Sequence, residues 1–140
     1  SMHVPWENIE QCLPYIDLLL SDVKHTDAER YRQGTRGDLT RVQRNYAALA
    51  DFGGRVVARV PVIPGFSAAK AELQSIVDYV VELGYIGEID FLPYHTYGLS
   101  KYRQLGRDYE WTTETIDEAA VVEPAVAYAR SRGLTASIGG

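Results

Sequence analysis

A chain of 140 residues is long enough for one ordinary domain and too short for two well-packed ones. Its 19 acidic residues outnumber its 14 basic residues and give a net charge of −5, which disfavours a general binder of the nucleic-acid backbone. Hydrophobic residues make up 46% of the chain, which is enough for a folded core, but no apolar run approaches the roughly 20 residues of a membrane-spanning helix.

The first half of the chain predicts two strands separated by a helix. Residues 15–23 form a short apolar run that follows a proline and ends in polar residues, as in a strand buried on both faces. Asp38 can cap a helix whose apolar residues recur at helical spacing until Gly53 ends the pattern. Residues 55–63 are rich in valine, which indicates a second buried strand.

A second helix and a third strand follow. Ser67 can cap this helix, its apolar residues line one face, and Gly84 ends it. Residues 86–92 then predict the third strand, because the run is short, largely apolar and followed by a proline.

The last part of the chain predicts a loop, a helix and a short strand. Residues 94–111 are polar and contain glycine, as in a loop, and residues 112–132 have helical composition with an interruption at Pro124. Residues 134–138 predict a final strand. The alternation of strand and helix indicates an α/β fold of parallel β/α units joined by right-handed crossovers.

The N-terminus and the single cysteine bear on location and redox chemistry. Residues 1–3 show no basic segment followed by an apolar stretch, which favours a cytoplasmic location. Cys12 alone excludes an intrachain disulfide and any zinc or iron–sulfur site built from several thiolates of this chain. With no cationic neighbour in the sequence, Cys12 is interpreted as a structural thiol that packs as a small hydrophobe.

Four polar residues fall at the predicted strand ends, where ligands gather in parallel sheets. Asp22 and Lys24 close the first strand two residues apart, so the spacing predicts an acid and a base side by side. Arg59 lies on the second strand, and His95 follows the third. Together they suit a ligand with a carboxylate and hydroxyl groups. The alternative is a surface salt bridge between Asp22 and Lys24 beside a structural or solvated histidine.

Several short motifs occur in a fixed order from about residue 15 to residue 109. They are Asp22-x-Lys24, Arg59-x-x-Val62-Ile63-Pro64-Gly65-Phe66-Ser67, Leu92-Pro93-Tyr94-His95, and Gly98-x-x-Lys101-Tyr102 followed by Gly106. This ordered set resembles the glycyl-radical enzyme activating enzymes, which are radical S-adenosylmethionine proteins typified by the pyruvate formate-lyase activating enzyme. Each motif alone is weak, and the ordered set is specific.

The resemblance implies a role for five residues. Asp22 matches an aspartate beside S-adenosylmethionine and a bound monovalent cation, and the backbone carbonyl of Leu20 falls at a second ligand of that cation. Lys24 and His95 match residues that contact S-adenosylmethionine. Arg59 matches an arginine that lines the cavity where the cofactor and the partner's glycine loop meet.

One feature of the family is missing from this chain. The family holds a [4Fe–4S] cluster in a Cys-x-x-x-Cys-x-x-Cys loop, whereas this chain contains one cysteine. The resemblance therefore implies that residues 1–140 are a single C-terminal fragment, half of a partial (β/α)6 TIM-like barrel, with the cluster-binding half absent. Alone, the chain is not expected to cleave S-adenosylmethionine.

The resemblance also implies an activity and partners for the full-length protein. Reductive cleavage of S-adenosylmethionine gives a 5′-deoxyadenosyl radical, which takes a hydrogen atom from a backbone glycine of a glycyl-radical enzyme such as pyruvate formate-lyase. The electron comes from a donor such as flavodoxin. No nucleic-acid or membrane partner is expected, and the exposed edge of a half-barrel predicts a homo-oligomer.

Two other functions stay open at this point. One is a stand-alone α/β enzyme that uses His95 and Asp22 on a phosphorylated or carboxylated substrate. The other is a non-catalytic docking module for a glycyl-radical enzyme.

Overall fold

The structure is a computed structural model that describes residues 2–95, 102, 104–106, 108 and 114–139. These residues contain one sheet of four strands in the order β1-β2-β3-β4, and every neighbouring pair is parallel. The strands are β1 (Leu18–Asp22), β2 (Arg55–Val62), β3 (Glu88–Pro93) and β4 (Thr135–Ile138). The predicted α/β fold of parallel β/α units is therefore confirmed.

Helices connect the strands, as parallel pairing requires. Helix α1 (Trp6–Glu10) precedes β1, and the connecting helices are α2 (Ala28–Thr35), α3 (Leu39–Ala48), α4 (Lys70–Leu83) and α5 (Glu123–Ser131). Short 3₁₀ turns occupy Leu13–Tyr15 and Leu49–Asp51, and a π-helical turn at Glu118–Val122 leads into α5. No described helix combines the length and the apolar character that crossing a membrane requires.

Helices cover one face of the sheet. The side chains of Val60, Ile89 and Phe91 on that face have no exposed surface, and they share a single core with apolar residues of α3, α4 and α5. We call the opposite side the open face. Its residues are Leu18, Leu20 and Asp22 of β1, Arg55, Val57, Arg59 and Pro61 of β2, Glu88, Asp90 and Leu92 of β3, and Thr135 and Ser137 of β4.

The prediction that the first strand is buried on both faces is wrong. Leu18 and Leu20 lie on the open face with 43% and 49% of their surface exposed, and only Ser21 of β1 is buried. The strand also begins later than predicted, because Leu13–Tyr15 forms a 3₁₀ turn. An apolar run indicates a strand, but it does not show whether a second layer covers both of its faces.

The other predicted helices and strands are present, but several of them begin or end at other residues than predicted. Asp38 caps α3 by accepting the Thr40 N–H at 2.9 Å, and Gly84 ends α4 in the left-handed conformation. Ser67 does not cap α4; its hydroxyl accepts the Ile63 N–H and donates to the Pro61 carbonyl, which closes the turn after β2. The predicted 94–111 loop lies mostly outside the described residues.

The end of the chain follows the prediction in part. Pro124 stands in the first turn of α5, where a backbone N–H has no partner within the helix, so its absence does not destabilise the helix. The π-helical turn before α5 is the interruption that the proline predicted. Gly133 follows α5 with a φ of +90° and leads into β4. The predicted last helix and strand are therefore present among the described residues.

Candidate functional site

One row of polar side chains crosses all four strands on the open face. The strand register pairs Asp22 with Arg59, Arg59 with Asp90, and Asp90 with Ser137. Neighbouring strands lie about 4.8 Å apart, so each side chain in the row is within reach of the next. Asp22 is the last residue of β1, where parallel sheets place ligand groups, whereas β2 and β3 continue to Val62 and Pro93 beyond the row.

Asp22 and Arg59 form the ion pair in this row. The Nη2 and Nε atoms of Arg59 donate to the same oxygen, Oδ1 of Asp22, at 2.9 and 3.2 Å. About a third of each side chain is exposed, so solvent screens the pair. In the part of the chain that the structure describes, Oδ2 of Asp22 and Nη1 of Arg59 make no hydrogen bond. One acceptor and one donor are therefore available to a ligand.

Asp22 pairs with Arg59 on the neighbouring strand rather than with Lys24. β1 ends at Asp22, two residues before Lys24. Lys24 is half-buried, and no salt bridge among the described residues joins it to Asp22. The acid–base pair forms between strands, because the register sets Arg59 beside Asp22.

The backbone of Leu20 lies on the free edge of the sheet. The Arg55 N–H donates to the Asp17 carbonyl, and the Val23 N–H donates to the Arg59 carbonyl. Because a parallel ladder uses alternate residues, the carbonyl of Leu20 points away from β2. Geometry thus leaves this carbonyl open to a cation. No group of three or more His, Cys, Asp or Glu side chains gathers at one point among the described residues.

His95 lies just beyond β3 at the same end of the sheet. The preceding residue, Tyr94, donates its N–H to the Val62 carbonyl at 3.1 Å, which holds the start of this loop against the end of β2. The side chain of His95 is exposed. The structure brings Asp22 and Arg59 into contact and sets Lys24 and His95 beyond the ends of β1 and β3. The Gly98-x-x-Lys101 motif lies outside the described residues.

A buried histidine follows the site, and the sequence reasoning missed it. His25 is 3% exposed, and its Nδ1 accepts the Asp27 N–H at 2.9 Å. Its Nε2 lies 3.4 Å from Oε2 of Glu72, outside hydrogen-bond geometry, and its ring packs against Phe66 at 5.1 Å. The signal in the sequence is a histidine two residues before the aspartate that caps α2.

Arg30 ties the loop after β1 to the loop after β2. Its Nη2 donates to the carbonyls of Gly65 and Phe66 at 2.9 and 3.1 Å, and its Nη1 lies 3.8 Å from Oε1 of Glu72. The segment that carries Lys24 and His25 is therefore fixed to the segment after Arg59.

Cys12 stands apart from these residues. Cys12, interpreted from the sequence as a structural thiol, is exposed, and its Sγ donates to the Asn8 carbonyl at 3.4 Å. A single exposed thiol supplies one of the several ligands that an iron–sulfur cluster needs.

Three curated relatives share sequence with most of this chain. It is 34% identical over 124 residues to the pyruvate formate-lyase 2-activating enzyme of Escherichia coli, with 89% of this chain and 42% of that protein covered. It is 37% identical over 111 residues to the 4-hydroxyphenylacetate decarboxylase activating enzyme of Clostridioides difficile, with 77% and 35% covered. It is 28% identical over 144 residues to the (2S)-3-sulfopropanediol dehydratase activating enzyme of Klebsiella oxytoca, with 99% and 45% covered.

Two solved structures share the fold. A domain of a pyruvate-formate lyase-activating enzyme from Bacteroides vulgatus matches with a TM-score of 0.74 at 21% identity, over 96% of this chain and 74% of that chain. A radical SAM methyltransferase from Sphaerobacter thermophilus matches with a TM-score of 0.63 at 11% identity, over 96% and 38%. The chain therefore shares its parallel α/β fold with part of each of these two proteins.

The chain matches only part of each curated relative. No protein-family model matches the chain. The chain spans between 35% and 45% of the length of the three curated relatives, and it corresponds to their C-terminal part.

Proposed function

We propose, from the premise that the chain belongs to the family of glycyl-radical enzyme activating enzymes, that residues 1–140 supply the C-terminal, ligand-facing part of such an enzyme. The single observation that carries this proposal is the Asp22–Arg59 pair, which stands on the open face at the end of β1. A buried or covered pair would have no access to a ligand.

S-Adenosylmethionine is the proposed cofactor, and the residues present fit it. Its methionine end carries an ammonium and a carboxylate, and its ribose carries hydroxyls. Oδ2 of Asp22 can accept from an ammonium or hydroxyl group, and the Lys24 ammonium can donate to the carboxylate. We place His95 beside the cofactor and Arg59 where the cofactor and the partner's glycine loop meet. When bound, the cofactor supplies the radical chemistry that removes a hydrogen atom from a glycine.

A monovalent cation fits beside the cofactor. The carbonyl of Leu20 points away from β2 on the free edge of the sheet, and the Asp22 carboxylate follows two residues later on the same strand. Oxygen ligands of this kind suit hard cations. Leu20 and Asp22 are the proposed ligands from this chain.

The [4Fe–4S] cluster does not fit these residues. One exposed cysteine, Cys12, cannot replace three thiolate ligands. The cluster ligands therefore belong to a part of the protein outside residues 1–140, and the proposed activity belongs to a protein that contains both parts.

The proposed partner is a glycyl-radical enzyme, and an electron donor such as flavodoxin is proposed to reduce the cluster. The chain by itself is expected to self-associate through the edge of β1 and the adjoining open face, because Leu18 and Leu20 expose 43% and 49% of their surface on that face. A monodisperse monomer in light scattering at high concentration would count against self-association.

The full-length gene product tests the proposed function. After reconstitution with iron and sulfide without oxygen, it is expected to form 5′-deoxyadenosine from S-adenosylmethionine only when a reductant is present. Reactions without reductant serve as the control. Cluster-loaded protein that forms no 5′-deoxyadenosine would contradict the proposal, and capture of a glycyl-radical enzyme without turnover would indicate a docking module instead.

A further inference from the structure

We propose that Asp90 is a second partner for Arg59, and that Arg59 leaves Asp22 for Asp90 when a ligand group occupies Asp22. Asp90 is thus a positioning residue, which acts on the ligand through Arg59. The ligand-binding part of this inference rests on the function proposed above. The exchange of partners by Arg59 rests on the geometry of the open face alone.

The strand register places Arg59 between two carboxylates. Asp22 is its partner on β1, and Asp90 is its partner on β3, in one row and on one face. The two neighbouring strands lie at equal spacings of about 4.8 Å on either side of β2. A change of side-chain rotamer is therefore enough to turn the guanidinium from one carboxylate to the other.

Asp90 has room for this contact. Its Oδ1 accepts a hydrogen bond from the Ser137 hydroxyl at 2.6 Å, which orients the carboxylate. No hydrogen bond to Oδ2 of Asp90, and no ion pair to this residue, occurs within the described ranges. The nearby cation Arg55 is held by Glu88 through two hydrogen bonds, so it does not compete.

The exchange explains how Asp22 can serve both Arg59 and a ligand. Two nitrogens of Arg59 now donate to one oxygen of Asp22. A ligand ammonium that bridges the free Oδ2 and this Oδ1 displaces the guanidinium, which then needs another acceptor. Asp90 supplies that acceptor in the same row, so the displaced Arg59 keeps an ion pair on the open face.

A double-mutant cycle without ligand tests the exchange. Urea unfolding is measured for the chain and for Asp22→Asn, Asp90→Asn and the double variant. Each single variant leaves Arg59 one carboxylate, and the double variant leaves it none. The double variant is therefore expected to raise the unfolding equilibrium constant by more than the product of the two single factors. A factor equal to or smaller than that product would overturn the proposal.

An NMR measurement keeps the test decisive if the double variant does not fold. In Asp22→Asn, the Arg59 Nε–H signal is expected to stay protected from exchange with water, because Asp90 takes over as acceptor. The side-chain carboxyl signal of Asp90 is expected to shift in the same variant. A lost Arg59 signal with an unmoved Asp90 signal would overturn the proposal.

The ligand-binding part is tested on the full-length gene product with S-adenosylmethionine as the probe. Asp90→Asn is expected to raise Kd about tenfold, because Arg59 then stays on Asp22, and Asp90→Glu is expected to restore most of the affinity. Equal affinity for wild type and Asp90→Asn would overturn this part. If the wild type does not bind S-adenosylmethionine, the proposed function fails. The double-mutant cycle still tests whether Arg59 can pair with Asp90, because it needs no ligand.

Discussion

Arg59 donates two hydrogen bonds to a single oxygen of Asp22, across the pairing of β1 with β2. The two side chains meet because the register sets them side by side, although they are 37 residues apart in the chain. The contact is partly exposed, so its contribution to stability is small and its value lies in presenting charge on the open face.

Replacing Arg59 with lysine separates the contribution of Arg59 to stability from its contribution to ligand binding. Arg59→Lys keeps the charge and loses the two-nitrogen contact with Asp22. The free energy of unfolding is expected to fall by less than about 1 kcal/mol, as for exposed ion pairs, while the affinity for S-adenosylmethionine falls. Urea unfolding and calorimetry measure the two effects, with Arg41→Lys on the exposed side of α3 as control. A loss of stability of several kcal/mol would show a structural role instead.

A second prediction concerns Gly34 in the last turn of α2. A Cβ at this position lies 2.5 Å from the Phe66 ring, which packs against His25. Overpacking costs about 1–3 kcal/mol, and the better helix propensity of alanine returns up to about 1 kcal/mol. Gly34→Ala is therefore expected to destabilise the chain.

The matched control for this change is Gly87→Ala. A Cβ at Gly87 meets no atom within 4 Å, so the free energy of unfolding should stay within about 0.5 kcal/mol of wild type. Thermal unfolding of both variants measures the difference. Equal stability of the two variants would mean that the Phe66 ring moves freely.

A third prediction compares the buried Tyr46 with the half-buried Tyr79, whose rings pack edge to face. The hydroxyl of Tyr46 pairs with Ser21 at 2.7 Å, whereas the Tyr79 hydroxyl is buried and has no hydrogen-bond partner among the described residues. Tyr46→Phe orphans the buried Ser21 hydroxyl and should cost about 1–3 kcal/mol. Tyr79→Phe removes an unsatisfied group and should be neutral or stabilising.

The same tyrosine predicts a pH dependence. Burial raises the pKa of Tyr79 to about 12, from an ordinary value of 10. Because the pKa of Tyr79 is higher in the folded state than in the unfolded state, ionisation of this side chain favours unfolding. The free energy of unfolding is therefore unaffected by Tyr79 below pH 10 and falls as pH rises from 10 toward 12. Urea unfolding between pH 9 and 12 should show a shallower loss in Tyr79→Phe than in wild type. Parallel curves would contradict this assignment.

A fourth prediction distinguishes the two ring nitrogens of His25. Asparagine retains a polar atom near Nδ1, and glutamine retains one near Nε2. Because Nδ1 accepts the Asp27 N–H and Nε2 lies outside hydrogen-bond geometry, His25→Gln should lose about 1–2 kcal/mol more stability than His25→Asn. Both variants lose the packing on Phe66, so that loss cancels in the comparison. A glutamine variant as stable as the asparagine variant would indicate that the Glu72 contact dominates.

The sequence predicted the strands better than the helices between β1 and β2. A valine-rich run identified β2, and a short, largely apolar run followed by a proline identified β3. Helix α2 was missed because it is mostly polar, with only Tyr31 buried, so it shows little apolar periodicity.

The site was predicted in part for a similar reason. Asp22 and Arg59 were identified from their places at strand ends, but their contact depends on the register between strands that are distant in sequence. The sequence did not identify Asp90 for the same reason: the sequence of the third strand does not show that this residue lies beside Arg59. Tertiary packing sets such a register, and no single-strand pattern contains it.

The most direct measurement is the binding of S-adenosylmethionine to the full-length gene product by titration calorimetry. Lys24→Ala removes the proposed donor to the cofactor carboxylate, and Lys70→Ala removes an exposed lysine of α4 as the matched control. The account predicts at least a tenfold higher Kd for Lys24→Ala and an unchanged Kd for Lys70→Ala. Equal affinity in wild type and Lys24→Ala would contradict the claim that the ends of β1 and β2 bind this cofactor.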